Sequence, residues 1–223
     1  MTSPKALALA LSLCAWFAPV DAYAVDWKIQ RLSGEVNVRH TSTSLVALSA
    51  SDTVRAGDRI STGANGRIML VRGKEAIVIA PGSELIVPAD QVSGRKTTLL
   101  QSAGEVTFEV EKRNVQHFEV QTPFLAAVVK GTRFTVKVNA SSSSVAVERG
   151  VVEVLDFDTG QMARVNAGQL AKTAAVSGAG LALSGSGKLG TITQLQPRKS
   201  RFEQDGFLAK EASLTPGKSA SGF

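Results

Sequence analysis

The sequence predicts an all-β protein of many short strands, arranged as an antiparallel β-sandwich or a short β-solenoid, with little helix and a flexible C-terminal tail. Apolar and polar residues alternate with a period of two over residues 27 to about 173. Gly, Pro, Asn, Asp or Ser bounds each alternating run, and no window has helical apolar spacing over three turns. Frequent glycine corners suit both architectures, so both remain open at this point.

The first 24 residues have the pattern of a secretory signal. Lys5 precedes the apolar run of residues 6–17, and Ala22-Tyr23-Ala24 is a small-x-small cleavage site. The run is too short for a membrane anchor, and Leu13 before Cys14 does not fit a lipoprotein signal. We therefore expect cleavage after Ala24, a periplasmic mature chain and no retained membrane helix.

Composition narrows the chemistry of the mature chain. Cys14 is the only cysteine, so no disulfide, thiolate metal site or thiol nucleophile is expected after cleavage. Loss of Lys5 and Asp21 cancels, which leaves the formal net charge at +6. This charge suits an anionic envelope surface or polymer. Basic and acidic residues mostly alternate, which does not favour nucleic acid as a partner.

Changes in residue composition along the sequence predict the domain organisation. Residues 25–53 hold N-terminal strands that lead into a β domain over residues 54–173. Residues 174–223 are rich in Gly and Ser and then basic, as in a linker with a partly disordered tail. Within this stretch, one further strand near residues 181–183 and a short helix near residues 202–212 fit the pattern.

Four central strands allow the two sheet faces to be predicted, because side chains alternate along a strand. The inward set is Val106, Phe108, Val110, Phe118, Val120, Phe134, Val136, Val138, Val145 and Val147. The outward set is Glu105, Thr107, Glu109, Glu111, His117, Glu119, Gln121, Arg133, Thr135, Lys137, Ala146 and Glu148. Cross-strand Glu–Lys or Glu–Arg pairs are expected on the outward face.

The sequence contains no complete catalytic motif, so we expect that the protein is not an enzyme and that it has no cofactor and no metal. Residues 185–190 match G-x-G-x-x-G, but no strand-to-helix context surrounds them. Ser93 and Lys96 have S-x-x-K spacing in a turn-like stretch without a Lys-Thr-Gly partner. His40 and His117 are far apart and lack accompanying ligands for zinc. His117 is expected to be a surface histidine.

A run of ordered motifs between residues 54 and 173 resembles the FecR domain. The motifs include Gly57-Asp58-Arg59-Ile60-Ser61-Thr62-Gly63, Phe118-x-Val120-x-Thr122-Pro123 and Val129-x-Gly131-Thr132-x-Phe134. The residues that carry the resemblance, which we expect to be structural, are Gly57, Asp58, Thr62, Gly63, Gly66, Gly104, Glu105, Thr122, Pro123, Gly131, Thr132, Phe134, Gly150, Gly168 and Gln169.

The resemblance implies an exported module that binds a protein partner, an envelope or membrane sensor or transporter, and modulates signalling. We expect no counterpart of the FecR family's anti-sigma and transmembrane parts, and therefore no direct anti-sigma activity. A sheet edge or the charged face with Glu109, Arg133 and Lys137 would bind the partner. The alternative is a binder of peptidoglycan or lipopolysaccharide, through a basic cluster. That cluster is Arg198, Lys199 and Arg201.

Overall fold

A computed structural model describes residues 26–40, 44–90 and 96–204. Of these residues 55% lie in strands and 2% in helix, which confirms the all-β prediction. The predicted signal over residues 1–24, Ser93 of the S-x-x-K match and the tail beyond residue 204 lie outside the described residues.

The described residues form eighteen strands and one short helix. The elements are β1 Trp27–Ser33, β2 Val36–Arg39, β3 Val46–Ala47, β4 Thr53–Val54, β5 Arg59–Thr62, β6 Arg67–Arg72, β7 Glu75–Ile79, β8 Glu84–Ile86, β9 Thr97–Glu109, β10 Phe118–Gln121, β11 Leu125–Val129, β12 Arg133–Asn139, β13 Ser142–Arg149, β14 Val151–Asp156, β15 Gln161–Asn166, β16 Gln169–Ala174, β17 Ala182–Gly185, β18 Thr193–Gln194 and α1 Arg201–Gln204.

The strands form two sheets that share β9. The first sheet has the order β4-β1-β6-β7-β9-β12-β13-β16-β17. The second has the order β3-β2-β5-β8-β9-β10-β11-β14-β15-β18. β9 pairs in the second sheet up to Ala103 and in the first sheet from Gly104. Gly104 has a φ of +79°, a conformation that favours glycine, so the strand turns from one sheet to the other at this residue.

Hairpins alternate between the sheets along the chain. β6–β7, β12–β13 and β16–β17 belong to the first sheet, whereas β10–β11 and β14–β15 belong to the second. All pairings are antiparallel except β9–β10. A solenoid stacks its coils in parallel, so the pairing is that of the sandwich, one of the two predicted alternatives.

One hydrophobic cluster joins the two sheets and contains the whole predicted inward set. Phe108 stacks on Phe134 of the same sheet, with ring centroids 5.2 Å apart. Phe108 also meets Phe118 of the second sheet edge to face at 6.0 Å. These three rings therefore tie the sheets together at the centre of the sandwich.

The outward prediction is wrong for His117, Glu119 and Gln121, which are all buried. On β10 the alternation correctly places Phe118 and Val120 in the core. A second layer, the C-terminal segment of residues 197–204, covers Glu119 and Gln121 from outside. His117 instead lies against Glu75 of β7. Alternation identifies opposite faces of a strand but cannot show that a distant segment covers both of them.

Residues 174–204 hold more structure than the linker prediction. β17 begins one residue after the predicted strand start, β18 pairs with β15, and α1 is a four-residue helix. Leu181 and Phe202 are buried. Among the described residues, no helix is long and apolar enough to cross a bilayer.

Candidate interaction surfaces

The charged outer face of the first sheet is a ladder of ion pairs across β9, β12 and β13. Arg133 bridges Glu109 at 3.0 Å and Glu148 at 2.7 Å. Glu148, and then Glu109, raise the pKa of the Arg133 guanidinium. Lys137 pairs with Glu105 at 2.9 Å, as the cross-strand register predicts.

Arg149 completes the ladder, at 3.1 Å from Glu109. Three cations and three carboxylates thus neutralise each other within the protein, and each is at least partly exposed. A partner that used Arg133, Lys137 or Glu109 would have to break or share these contacts. The ladder therefore favours solubility more than it favours recognition.

The second candidate surface from the sequence is the basic cluster near the C-terminus, and two of its three cations are paired within the protein. Arg198 donates to Glu119 at 2.8 Å and lies over the Phe157 ring at 5.4 Å. Arg201 pairs with Asp90 at 2.9 Å. Lys199 is exposed, and no ion pair is recorded for it in the described part of the chain. Two of the three cations thus hold the C-terminal segment on the second sheet.

Burial and charge compete at Glu119, whose side chain is 3% exposed. Burial alone would raise the pKa of this carboxyl group. Lys96, then Gln121 and Arg198, outweigh that effect and lower the pKa below its usual value. Phe202 anchors the same segment by packing against Ile86 and Leu100. The segment is an integral layer of the sandwich.

A groove of about 540 Å³ opens beside this segment, between it and the ends of three strands. Its lining includes Pro123, Phe124, Phe157, Asp158, Arg198 and Lys199. Asp156 also lines the groove, but Thr159 donates twice to its carboxylate and Thr173 donates once. This carboxylate therefore has a structural role at the β14–β15 turn.

A polar cluster closes the end of the sandwich where β7 and β10 begin. Arg72 donates twice to Glu75 and once to Thr97, and its guanidinium lies 4.1 Å from the Trp27 ring centroid. His117 Nε2 lies 3.5 Å from Glu75 Oε1. Trp27, Glu75 and His117 are all buried. The cluster is enclosed, and it offers no surface to a substrate.

The residues of the FecR resemblance mostly close turns or fill the core. Thr122 Oγ1 accepts hydrogen bonds from the backbone N–H groups of Phe124 and Leu125. Asp58 accepts one from Arg55 N–H. The Gln169 amide donates to the carbonyl oxygens of Ser186 and Lys188. The other residues of the resemblance lie in or beside strands β5 to β16. They are Gly57, Thr62, Gly63, Gly66, Gly104, Glu105, Pro123, Gly131, Thr132, Phe134, Gly150 and Gly168.

At one end of the sandwich both sheets finish in the same stretch of the chain, which is almost uncharged. β17 is the last strand of the first sheet and β18 the last strand of the second. Residues 173–197 contain a single charged side chain, Lys188. Leu189, Ile192 and Leu195 are each at least 40% exposed. We call β17, β18 and the residues between them the terminal edge.

The opposite end of the first sheet is protected against pairing. The two-residue strand β4 covers only Trp27 and Lys28 of β1, so the rest of β1 is an edge. This part of β1 has a bulge between Ile29 and Arg31, and Arg31 is exposed. Bulges and charges on edge strands prevent unwanted pairing, and the terminal edge has neither along β17. The sequence signal for this surface is the near absence of charge from residue 173 to residue 197, in the same stretch whose Gly and Ser content predicts a linker.

The described residues include no group of three or more His, Cys, Asp or Glu side chains placed to hold a metal ion. What the surfaces offer chemically is backbone pairing at the terminal edge, apolar contact beside it and charge elsewhere.

Comparison with known proteins identifies the domain. Residues 58–153 match the family described as FecR protein. Two crystal structures of a proposed anti-sigma factor from Parabacteroides distasonis ATCC 8503 are similar, each with 17% sequence identity and a TM-score of 0.47. The similarity covers 67% of this chain and 64% and 63% of those chains, so this chain spans just under two thirds of their length. No curated protein matches the chain. The resemblance found in the sequence is confirmed: residues 58–153 match the FecR domain.

Proposed function

We propose that this protein is an exported, periplasmic FecR-domain module that binds an envelope or membrane protein and modulates signalling, without catalysing a reaction. The FecR domain supports the regulatory role, and the secretory pattern of residues 1–24 supports export with cleavage after Ala24. The partner is of the sensor or transporter kind.

The observation that carries the proposal is the terminal edge. A strand that ends a sheet leaves backbone N–H and C=O groups unpaired on its outer side, and an extended segment of another protein can pair with them. β17 is four residues long and uncharged. Leu189, Ile192 and Leu195 follow β17 within ten residues of the sequence, and their exposed side chains make this end of the sandwich apolar. We infer strand addition at β17 as the binding mode.

Two outward-facing residues of β17 allow a clean test. Ala182 and Ser184 are exposed and lie opposite Lys172 and Leu170 of β16. The variant Ala182→Lys/Ser184→Lys puts two charges on the edge without touching the core. The matched control Gln30→Lys/Ser33→Lys adds the same charge to exposed positions of β1 at the opposite edge.

The experiment is photo-crosslinking in intact envelopes, with a photoreactive residue at Ser186, which is exposed directly after β17, and, separately, at Lys137 of the ion-pair ladder. We expect one envelope protein to crosslink at residue 186 through a single contiguous segment. The β17 variant should lose this adduct and the β1 control should keep it. Equal capture at residues 186 and 137, or no adduct at residue 186, would overturn the proposal.

Binding of an envelope polymer through the basic cluster remains the alternative function. Arg198 and Arg201 are already held in ion pairs, so this alternative has less support than the protein-binding function. Sedimentation with cell-wall sacculi that weakens steeply with salt and is lost in Lys199→Glu would favour it instead.

A further inference from the structure

The outer face of the first sheet is charged on β9, β12 and β13 but largely apolar on β6 and β7. β9, β12 and β13 carry the ion-pair ladder described above. On β6 and β7, Ile68, Leu70, Ile77 and Ile79 point into the core. The residues between them therefore point outward, because side chains alternate along a strand.

These outward residues form two apolar rows that continue onto β1. Met69 lies opposite Val78 and Val71 opposite Ala76, and all four are partly exposed. On the β1 side, Arg31 pairs in register with Met69, and Lys28 with Val71. Arg67 follows the same face, opposite Ser33. We call this set the basic strip, defined by Lys28, Arg31, Arg67, Met69, Val71, Ala76 and Val78.

The cations of the basic strip are not neutralised within the described residues. Lys28, Arg31 and Arg67 are exposed, and none of them has a carboxylate within the 4.0 Å that defines an ion pair. Arg133 and Lys137 on the other half of the same face are both paired. The strip therefore combines partly exposed apolar rows with three free positive charges along one side.

We propose that the basic strip is a docking face for the surface of an anionic phospholipid bilayer. Lipid phosphates would meet Lys28, Arg31 and Arg67, and the apolar rows centred on Met69 and Val78 would lie at the headgroup level. A soluble polyanion would use the charges but would gain nothing from the apolar rows. This interaction is independent of the protein partner proposed above.

The twist of the sheet turns the far part of the ladder away from the strip. β9 borders β7 directly, with Glu109 opposite Ala76, whereas β9 and β12 lie between the strip and β13. Because adjacent strands are rotated by roughly 20–25°, a flat bilayer that contacts β1, β6 and β7 need not contact β13. The terminal edge at β17 stays free, at the opposite end of the sheet.

The test is co-sedimentation of the chain, purified after export, with vesicles of mixed phosphatidylglycerol and phosphatidylcholine. Binding should exceed binding to pure phosphatidylcholine and should weaken in salt. The variant Lys28→Glu/Arg31→Glu/Arg67→Glu should lose at least on the order of 100-fold in affinity, because removal of the three cations alone is worth about fivefold each. The matched control Arg39→Glu/Lys130→Glu/Arg164→Glu changes net charge equally, but its residues belong to the second sheet or follow it.

A second readout separates a bilayer from a polymer. Met69→Trp places an indole in the centre of the strip, whereas Trp27 is buried and only 2% exposed. Its emission should shift to shorter wavelength with anionic vesicles, and Ala146→Trp on the ladder half should not respond. Equal loss in both charge variants, an unchanged Met69→Trp emission, or equal binding to an anionic polysaccharide would each overturn the proposal.

Discussion

The guanidinium of Arg198 lies 2.8 Å from the carboxylate of Glu119, although the two residues are 79 positions apart in the sequence. This contact joins the C-terminal segment to the middle strand of the second sheet. Because Lys96 holds the other carboxylate oxygen, Glu119 is a buried charge with two cationic partners. The stability of the protein should therefore depend on the ionisation of this one group.

The pH dependence follows from the sign of the shift. The pKa of Glu119 is lowered in the folded protein, so its stabilisation is present above the unfolded value of about 4.3 and is lost as pH falls through the folded value. Urea unfolding from pH 3 to pH 7 should show a flatter dependence for Glu119→Gln than for the parent chain. Parallel curves would contradict the argument.

Phe202 should be the apolar anchor of the C-terminal segment. It is 1% exposed and packs on Ile86 and Leu100, so Phe202→Ala should lower the free energy of unfolding by about 3 kcal/mol. Val115→Ala, at a residue that is 63% exposed, serves as the control and should change it little. The measurement is chemical denaturation, and a loss in Phe202→Ala no larger than the control would show that the anchor is dispensable.

Gly131 is expected to be intolerant of any side chain. Its φ is +148°, and an added Cβ would lie 2.2 Å from the Lys112 Cα. Gly73 has a φ of +60° with nothing within 4 Å of its added Cβ. Gly73→Ala should cost about 1 kcal/mol and Gly131→Ala on the order of 3 kcal/mol. Thermal unfolding of the two variants compares them, and similar costs would mean that the backbone around Lys112 relaxes.

The pair Arg72 and Glu75 gives a test of buried charge. Arg72→Met removes both hydrogen bonds to Glu75 Oε2 and should cost about 3–5 kcal/mol, because the buried carboxylate then keeps only His117, 3.5 Å away, beside it. The double variant Arg72→Met/Glu75→Gln should recover part of that loss. Arg55→Met, which breaks an exposed pair with Asp26 at 3.3 Å, should cost less than about 1 kcal/mol. Additive losses in the double variant would argue against a coupled pair.

The alternation of side chains predicted the core well but not what lies outside it. Phe108, Phe118 and Phe134 are in the core as expected, and the ladder pairs of Lys137 and Arg133 follow from strand register. Glu119 and Gln121 have the same outward pattern as Thr135, yet a segment far along the chain covers them. Local periodicity carries no information about such a contact.

The candidate surfaces were harder to predict than the core for a related reason. Arg198 and Arg201 form a cluster in the sequence, but in the fold each contacts a different acid. Met69 and Val78 are apolar residues of the kind that usually lie in the core. Only the order of the strands shows that they lie near Arg31 on the outer face of the sheet. The motifs of the FecR domain, by contrast, are local turns and could be found directly in the sequence.

β9 belongs to both sheets, and this has a consequence for how the protein opens. The same continuous strand pairs in the second sheet up to Ala103 and in the first sheet from Gly104, so we expect the two sheets to behave as one cooperative unit in native-state hydrogen exchange. The amides of Leu99 and Phe108, on either side of the turn at Gly104, should exchange with the same free energy as global unfolding. In the terminal edge, β17 pairs only with β16 and β18 only with β15. Its amides should therefore exchange well before those of Leu99 and Phe108, and its backbone should be available to another chain while the sandwich stays intact.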